Sequence, residues 1–95
     1  MSDQTLVLRE HLPLPEPYVG PGTATETALA QIWCSVLSMD RVGIHDRYPD
    51  LGGDSFHATL IFARIEATFS LRLPLATLVK AATVAELAAR IDGMK

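Results

Sequence analysis

The sequence lacks the features that mark secreted, membrane-spanning and nucleic-acid-binding proteins. It has 95 residues and a single cysteine, Cys34, which excludes an internal disulfide and leaves too few ligands for a cysteine-based zinc site. The first ten residues have neither the basic start nor the apolar run of a signal peptide, and no stretch approaches the roughly 20 apolar residues of a membrane span. Lys and Arg number 8 against 11 Asp and Glu, and they are scattered. We therefore expect a cytoplasmic protein with a buried or half-buried thiol and with neither nucleic acid nor membrane as a partner.

Strict alternation of apolar and polar residues is also absent, and the apolar residues instead recur at helical spacing. Three such faces are Leu29, Ile32, Trp33, Val36 and Leu37, on a helix expected to end near Met39; Ala58, Ile61, Phe62, Ile65 and Phe69; and Val84, Leu87, Ala88 and Ile91. Leu75, Leu78 and Val79 indicate a short further helix after Pro74. The pattern predicts an all-α fold, a small antiparallel bundle of three main helices plus one short helix, with a long first loop over residues 40–54.

The first 22 residues differ in composition from the rest of the chain. They contain four prolines and two glycines within a short stretch: Pro13, Pro15, Pro17, Gly20, Pro21 and Gly22. Proline fixes φ and removes a backbone donor, so we interpret residues 1–22 as an extended, partly polyproline-like linker and residues 23–95 as the folded domain. Thr23 with Glu26, and Thr83 with Glu86, have the spacing of capping boxes, which predicts helix starts at both places.

The most unusual local feature is the run Leu51–Phe56, with the sequence LGGDSF. Gly52 and Gly53 allow a sharp turn and the close approach of another molecule. Ser55 then stands at a helix start, where free amides and the positive end of the helix dipole favour a phosphate ester on its hydroxyl. The motif supplies no base that would make the serine a nucleophile. Asp54 is either an N-cap or a helper of magnesium-dependent modification, and the sequence does not choose between them.

The run Leu51–Ser55 resembles the thiolation motif of peptidyl carrier domains from nonribosomal peptide synthetases, within the phosphopantetheine-binding acyl-carrier superfamily. The resemblance covers residues 18–94. It includes Val42–Asp46 (VGIHD) before the motif, and Leu73–Leu75 (LPL) and Thr83–Ala88 (TVAELA) after it. Upstream, Leu12–Pro15 (LPLP) resembles the linker motif that follows an adenylation domain and packs against it, which makes Leu12, Pro13 and Pro15 candidate linker-docking residues.

The resemblance implies a natural-product carrier that is a substrate tether and not an enzyme. A phosphopantetheinyl transferase would use magnesium and coenzyme A to join 4'-phosphopantetheine covalently to Ser55, beside Gly53 and Asp54, giving a phosphoprotein. An adenylation enzyme or domain would load an amino or aryl acid onto the terminal thiol as a thioester. Condensation, tailoring or thioesterase partners would then use it. The tether raises the effective concentration of the intermediate. We expect no catalytic residue, no metal site and a monomer.

A second apolar stripe on the helix that follows Ser55 consists of Phe56, Leu60 and Ala63. Either the helix is buried over a wide face, or this stripe faces outward and serves as a docking surface for partner enzymes. Phe56 and the following His57 depart from the commoner residues of the family, which bears on the choice of partner.

Three other functions fit parts of the sequence. An acyl carrier protein of polyketide or fatty-acid synthesis would share the bundle and the tether, but its Ser55 helix would be more acidic. A Gly-Asp-Ser-Leu esterase would share residues 53–56 in part, but it needs an α/β sheet and a distant His–Asp pair, and no histidine follows His57. A helical interaction module would carry no prosthetic group. His11, His45 and His57 lack ligand spacing, so we expect them to be solvated or locally bonded.

Overall fold

The computed structural model describes residues 6–94, and its regular structure is helical. The α-helices are α1 (Ala24–Leu37), α2 (Ser55–Phe69), α3 (Thr77–Lys80) and α4 (Val84–Gly93), with short 3-10 helices at Arg9–His11 and Tyr48–Leu51. Over residues 6–94 no β-strand forms, although an isolated parallel bridge joins Val7 to Met39. The predicted all-α bundle with three main helices and one short helix is confirmed.

Both predicted threonine caps form, which explains where α1 and α4 begin, although the glutamate side chains accept from the Gly22 N–H and from the Thr83 hydroxyl and do not complete the boxes by accepting from the N-cap N–H. The Thr23 Oγ1 atom accepts a hydrogen bond from the Glu26 N–H at 3.0 Å, and Thr83 Oγ1 accepts one from the Glu86 N–H at 3.1 Å. Such caps satisfy amides that the helix itself leaves free. Helix α1 ends at Leu37, slightly before the predicted end, because Ser38 adopts a left-handed conformation with φ of 56°.

Helix α1 is the central element, because it packs against both α2 and α4. The three predicted apolar faces meet there. The largest fully buried side chains are Leu29, Trp33, Val42, Asp46, Ile61, Ile65, Val84, Leu87 and Ile91. Burial of a large aliphatic side chain contributes about 1.5–3 kcal/mol, so this shared core supplies the main stabilisation of the bundle.

The long first loop packs back onto the helices through its apolar residues. Val42, Tyr48 and Leu51 are buried. The loop also contains the 3-10 helix Tyr48–Leu51, which the periodicity did not reveal. Pro49 stands in its first turn, where a missing N–H costs nothing, and the Tyr48 N–H donates to the Ala82 carbonyl at 2.8 Å.

The proline-rich linker is attached to the bundle along much of its described length. Its only helix in that part, Arg9–His11, was not predicted. The Arg9 guanidinium donates to both carboxylate oxygens of Asp46, from Nε and Nη2 at 2.7 Å each. The Val7 N–H donates to the Ser38 carbonyl at 2.7 Å, and further along the Ile44 N–H donates to the carbonyl of Val19. Residues of the linker between positions 6 and 22 thus make contacts with the bundle. The domain boundary at residue 22, which we predicted from the change in composition, stays a prediction.

Candidate functional site

Ser55 is the first residue of α2, and its side chain is exposed. Within residues 6–94 its hydroxyl has no hydrogen-bond partner, and the N-cap of α2 is Asp54, whose Oδ1 accepts from the His57 N–H at 2.9 Å. Asp54, and not Ser55, is therefore the residue that caps the helix. Of the two roles left open for Asp54, the structure shows the capping role; its part in magnesium-dependent modification stays a prediction.

The Asp54 cap is reinforced by the side chain of His57, whose Nδ1 lies 2.8 Å from Asp54 Oδ1. The backbone N–H of His57 is the main cause that lowers the pKa of the Asp54 carboxyl, and the imidazole adds to it. The carboxylate at this position is therefore held in its charged form, next to the start of the helix.

The two glycines of the motif have different roles. Gly52 ends the 3-10 helix Tyr48–Leu51 in a left-handed conformation, with φ of 81°, which glycine adopts without strain. Gly53 has no positive φ. It is required because a Cβ atom added there would overlap the ring of Tyr48. We predicted that the glycines admit another molecule, but the close approach at Gly53 is that of the chain's own tyrosine.

Tyr48 is the residue of this site that sequence reasoning missed. Its hydroxyl donates to the Asp54 carbonyl at 2.7 Å, and its ring meets Trp33 edge-on, with centroids 5.4 Å apart at 76°. Burial raises the pKa of Tyr48, so the hydroxyl remains a proton donor. Its place in the first loop and its aromatic character were visible in the sequence, but its contact with Asp54 was not.

An open groove of about 440 Å³ lies beside Ser55. Its apolar lining comes from the first loop, α2, the segment before α3, α3 and the segment before α4: Tyr48, Pro49, Ala58, Leu75, Leu78, Val79 and Ala82. An accessible, unbonded hydroxyl at a helix start, next to an apolar groove, fits a phosphodiester-linked organic chain.

The second apolar stripe of α2 faces outward. Phe56 is 67% exposed, Leu60 is 40% exposed, and Ala63 is also exposed. The alternative of a helix buried over a wide face is therefore wrong. Val79 on α3, one of the residues whose spacing predicted that helix, is a further large apolar residue at the surface, at 82% exposure. The role of the stripe in docking stays a prediction.

The remaining polar candidates lie apart from one another. His45 is exposed, and His11 is exposed near Glu10, so the histidines are solvated or locally bonded as expected. Over residues 6–94 no group of three His, Cys, Asp or Glu side chains is placed to hold a metal ion.

Cys34 is half-buried, and burial raises the pKa of its thiol. In the same part of the chain, no helix has the length and apolar character needed to cross a bilayer.

Comparison with known proteins gives consistent matches. A family model described as "Phosphopantetheine attachment site" matches residues 27–91. One of the linear gramicidin synthase proteins of Brevibacillus parabrevis is 39% identical over 87 residues, which are 83% of this chain and 2% of that protein. The solution structure of an active-site mutant peptidyl carrier protein is 31% identical, with a TM-score of 0.80, over 84% of this chain and 89% of that one. A chain in the complex of the phosphopantetheine transferase Sfp with coenzyme A and a peptidyl carrier protein is 33% identical, with a TM-score of 0.77, over 80% of this chain and 99% of that one.

The chain therefore belongs to the phosphopantetheine attachment-site family, and within that family it is a peptidyl carrier domain, which tethers intermediates through phosphopantetheine derived from coenzyme A. The likeness favours the peptidyl carrier over the acyl carrier of fatty-acid or polyketide synthesis. The chain spans only about 2% of the length of the gramicidin synthase protein that it matches.

Proposed function

We propose that this domain carries amino or aryl acids in nonribosomal peptide assembly and that Ser55 is its attachment residue. The observation that carries the proposal is the placement of Ser55, an exposed first residue of α2 with an unbonded hydroxyl beside an apolar groove. When bound, phosphopantetheine supplies a flexible arm with a terminal thiol that can hold an acyl group. The similarity to a gramicidin synthase supports the peptide pathway.

The partners in this proposal are a phosphopantetheinyl transferase, an adenylation enzyme or domain, and downstream condensation, tailoring or thioesterase enzymes. The transferase is supported by the likeness to a chain in the Sfp complex. The adenylation partner is supported by the linker motif Leu12–Pro15. In that motif Leu12 is half-buried against the domain's own core, whereas Pro13 and Pro15 are exposed. The prolines are therefore the part of the linker that we propose to contact the adenylation partner.

We propose that partner enzymes dock on the exposed stripe Phe56, Leu60 and Ala63. Apart from His57, the ionisable residues of α2 are one arginine and one glutamate, Arg64 and Glu66, so attraction between net charges contributes little. Burial of Phe56, by contrast, would remove a large apolar surface from water. Recognition led by apolar contact also separates this domain from acyl carriers with a strongly acidic helix.

We also propose that the domain has no catalytic activity of its own, acts as a monomer and works in the cytoplasm. The histidine nearest in sequence, His57, has its Nδ1 atom directed at Asp54, and no described hydrogen bond joins either side chain to the Ser55 hydroxyl. A single cysteine without a disulfide suits a reducing compartment. Incubation with an activated ester tests the first point, because turnover that depends on Ser55 would contradict it.

The central experiment is incubation of the domain with coenzyme A, magnesium and a promiscuous phosphopantetheinyl transferase, followed by mass spectrometry. We expect the mass of one phosphopantetheine group to be added, with the modified peptide containing Ser55. Ser55→Ala should remain unmodified, whereas Ser35→Ala, a change at another exposed serine, should be modified normally. Absence of modification in the wild type would support a helical interaction module without a prosthetic group. Loading of the modified protein by a panel of adenylating enzymes would then identify the acyl group.

A further inference from the structure

We infer that the Tyr48 hydroxyl is a positioning group for the modification of Ser55, because it holds the peptide unit that leads into the serine. The inference rests on the proposal that Ser55 is the attachment residue. It concerns the side chain of Tyr48, which lies seven residues before the serine and does not belong to the glycine-serine motif.

The contact is made to the carbonyl of the peptide unit that leads into Ser55. The Asp54 carbonyl belongs to the peptide bond whose nitrogen is that of Ser55. It accepts two hydrogen bonds, from the Tyr48 hydroxyl at 2.7 Å and from the Ala58 N–H at 3.0 Å. The hydrogen bond from the Ala58 N–H closes the first turn of α2. The tyrosine bond is additional, so its loss leaves the carbonyl paired and the helix start formed, but removes one of two constraints on the direction of the peptide plane.

Tyr48 can act as a rigid support because it is itself held on several sides. It is 5% exposed, its ring contacts Trp33, and its N–H donates to the Ala82 carbonyl. Its ring also lies so close to Gly53 that no Cβ atom fits between them. The buried core thus extends through one aromatic side chain to the backbone immediately before Ser55.

The transfer reaction makes this support relevant. In the proposed transfer, the Ser55 oxygen would attack the pyrophosphate phosphorus of coenzyme A that carries the pantetheine, forming an oxygen–phosphorus bond as the bond from that phosphorus to the adenosine bisphosphate portion breaks. The hydroxyl proton passes to a base of the transferase, and adenosine bisphosphate leaves. In-line attack requires an aligned oxygen, and a misplacement of about 1 Å can cost about a hundredfold in rate. A looser peptide plane should cost less, about tenfold.

The test is the kinetics of phosphopantetheine transfer to Tyr48→Phe, which retains the ring and removes only the hydroxyl. With coenzyme A, magnesium and a promiscuous transferase, we expect kcat to fall about tenfold while KM for the carrier changes less than about twofold, because the exposed docking stripe is unaltered. The matched control is Tyr18→Phe, which removes the hydroxyl of an exposed tyrosine in the linker and should leave both constants unchanged.

Circular dichroism of both variants accompanies the kinetics. A kcat of Tyr48→Phe equal to that of the wild type would overturn the inference. A loss of rate that is explained by unfolding of the variant would also overturn it, because the hydroxyl would then only stabilise the fold. These outcomes are distinct from failure of the proposed function, in which the wild-type protein itself would remain unmodified at Ser55.

Discussion

Removal of either partner from the ion pair between Arg9 and Asp46 should destabilise the whole domain, although Arg9 lies in the proline-rich linker. Asp46 is 1% exposed and Arg9 is 8% exposed, and two hydrogen bonds of 2.7 Å join them. The hydrogen bond to Asp46 is the main cause that raises the pKa of Arg9, so the guanidinium stays charged. A buried charge that has lost its partner costs about 3 kcal/mol.

The perturbations are Arg9→Met, Asp46→Asn and the two together. Methionine keeps the apolar stem of the arginine. Asparagine keeps the shape of the aspartate, and its amide oxygen can still accept the hydrogen bond that the Gly43 N–H donates to Asp46 Oδ2 at 2.8 Å in the wild-type protein. Each single change should lower the free energy of unfolding by about 3 kcal/mol. The double variant should lose clearly less than the sum, because it leaves neither charge buried alone.

The assay is urea denaturation followed by the fluorescence of the single tryptophan, Trp33, which is fully buried. The matched control is Arg72→Met, which breaks an exposed ion pair with Glu66 at 3.2 Å and should change the free energy of unfolding by less than about 0.5 kcal/mol. The reasoning is refuted if the buried-pair variants lose no more than this control, or if the double variant loses the full sum of the singles.

Three further predictions concern the region around Ser55. Gly53→Ala should lower the free energy of unfolding by about 1–3 kcal/mol, because the added Cβ overlaps the buried ring of Tyr48. The control Gly93→Ala should have little effect, because its added Cβ meets no other part of the chain within 4 Å. Equal melting temperatures for the two variants would contradict this prediction. The pKa of Asp54 is lowered in the folded protein, so its charged carboxylate makes its full contribution to stability above the ordinary aspartate pKa of about 4. That contribution is lost as the pH falls through the pKa that Asp54 has in the folded protein. The melting temperature of Asp54→Asn, whose side chain still caps the helix, should therefore fall less than that of the wild type between about pH 6 and pH 2.5. An equal fall would refute the lowered pKa of Asp54 as a source of stability. Phe56→Glu should slow turnover by partner enzymes without loss of helicity because the side chain is exposed, and a loss of circular dichroism signal would show that Phe56 belongs to the core.

Much of the fold was determined by interactions between residues close in sequence, which explains why it could be predicted. The Thr23 and Thr83 caps act over three residues, and the apolar faces of α1, α2 and α4 follow from helical spacing alone. The same holds for the start of α2 at Ser55, since two glycines and a short polar cap form a local pattern. A helix records its buried face in its own sequence, so both the bundle and the exposure of the serine were accessible before the structure.

Only the tertiary structure decided which distant groups meet. The Arg9–Asp46 pair joins residues 37 positions apart, and no local periodicity indicates that a linker arginine will be buried. The overlap of the Tyr48 ring with Gly53, and the hydrogen bond from Tyr48 to the Asp54 carbonyl, depend on how the 3-10 helix folds back onto α2. Such contacts arise from close packing in three dimensions, where each side chain fills the space left by elements from other parts of the chain. The sequence thus specified the serine and its helix, whereas packing determined what holds that serine in place.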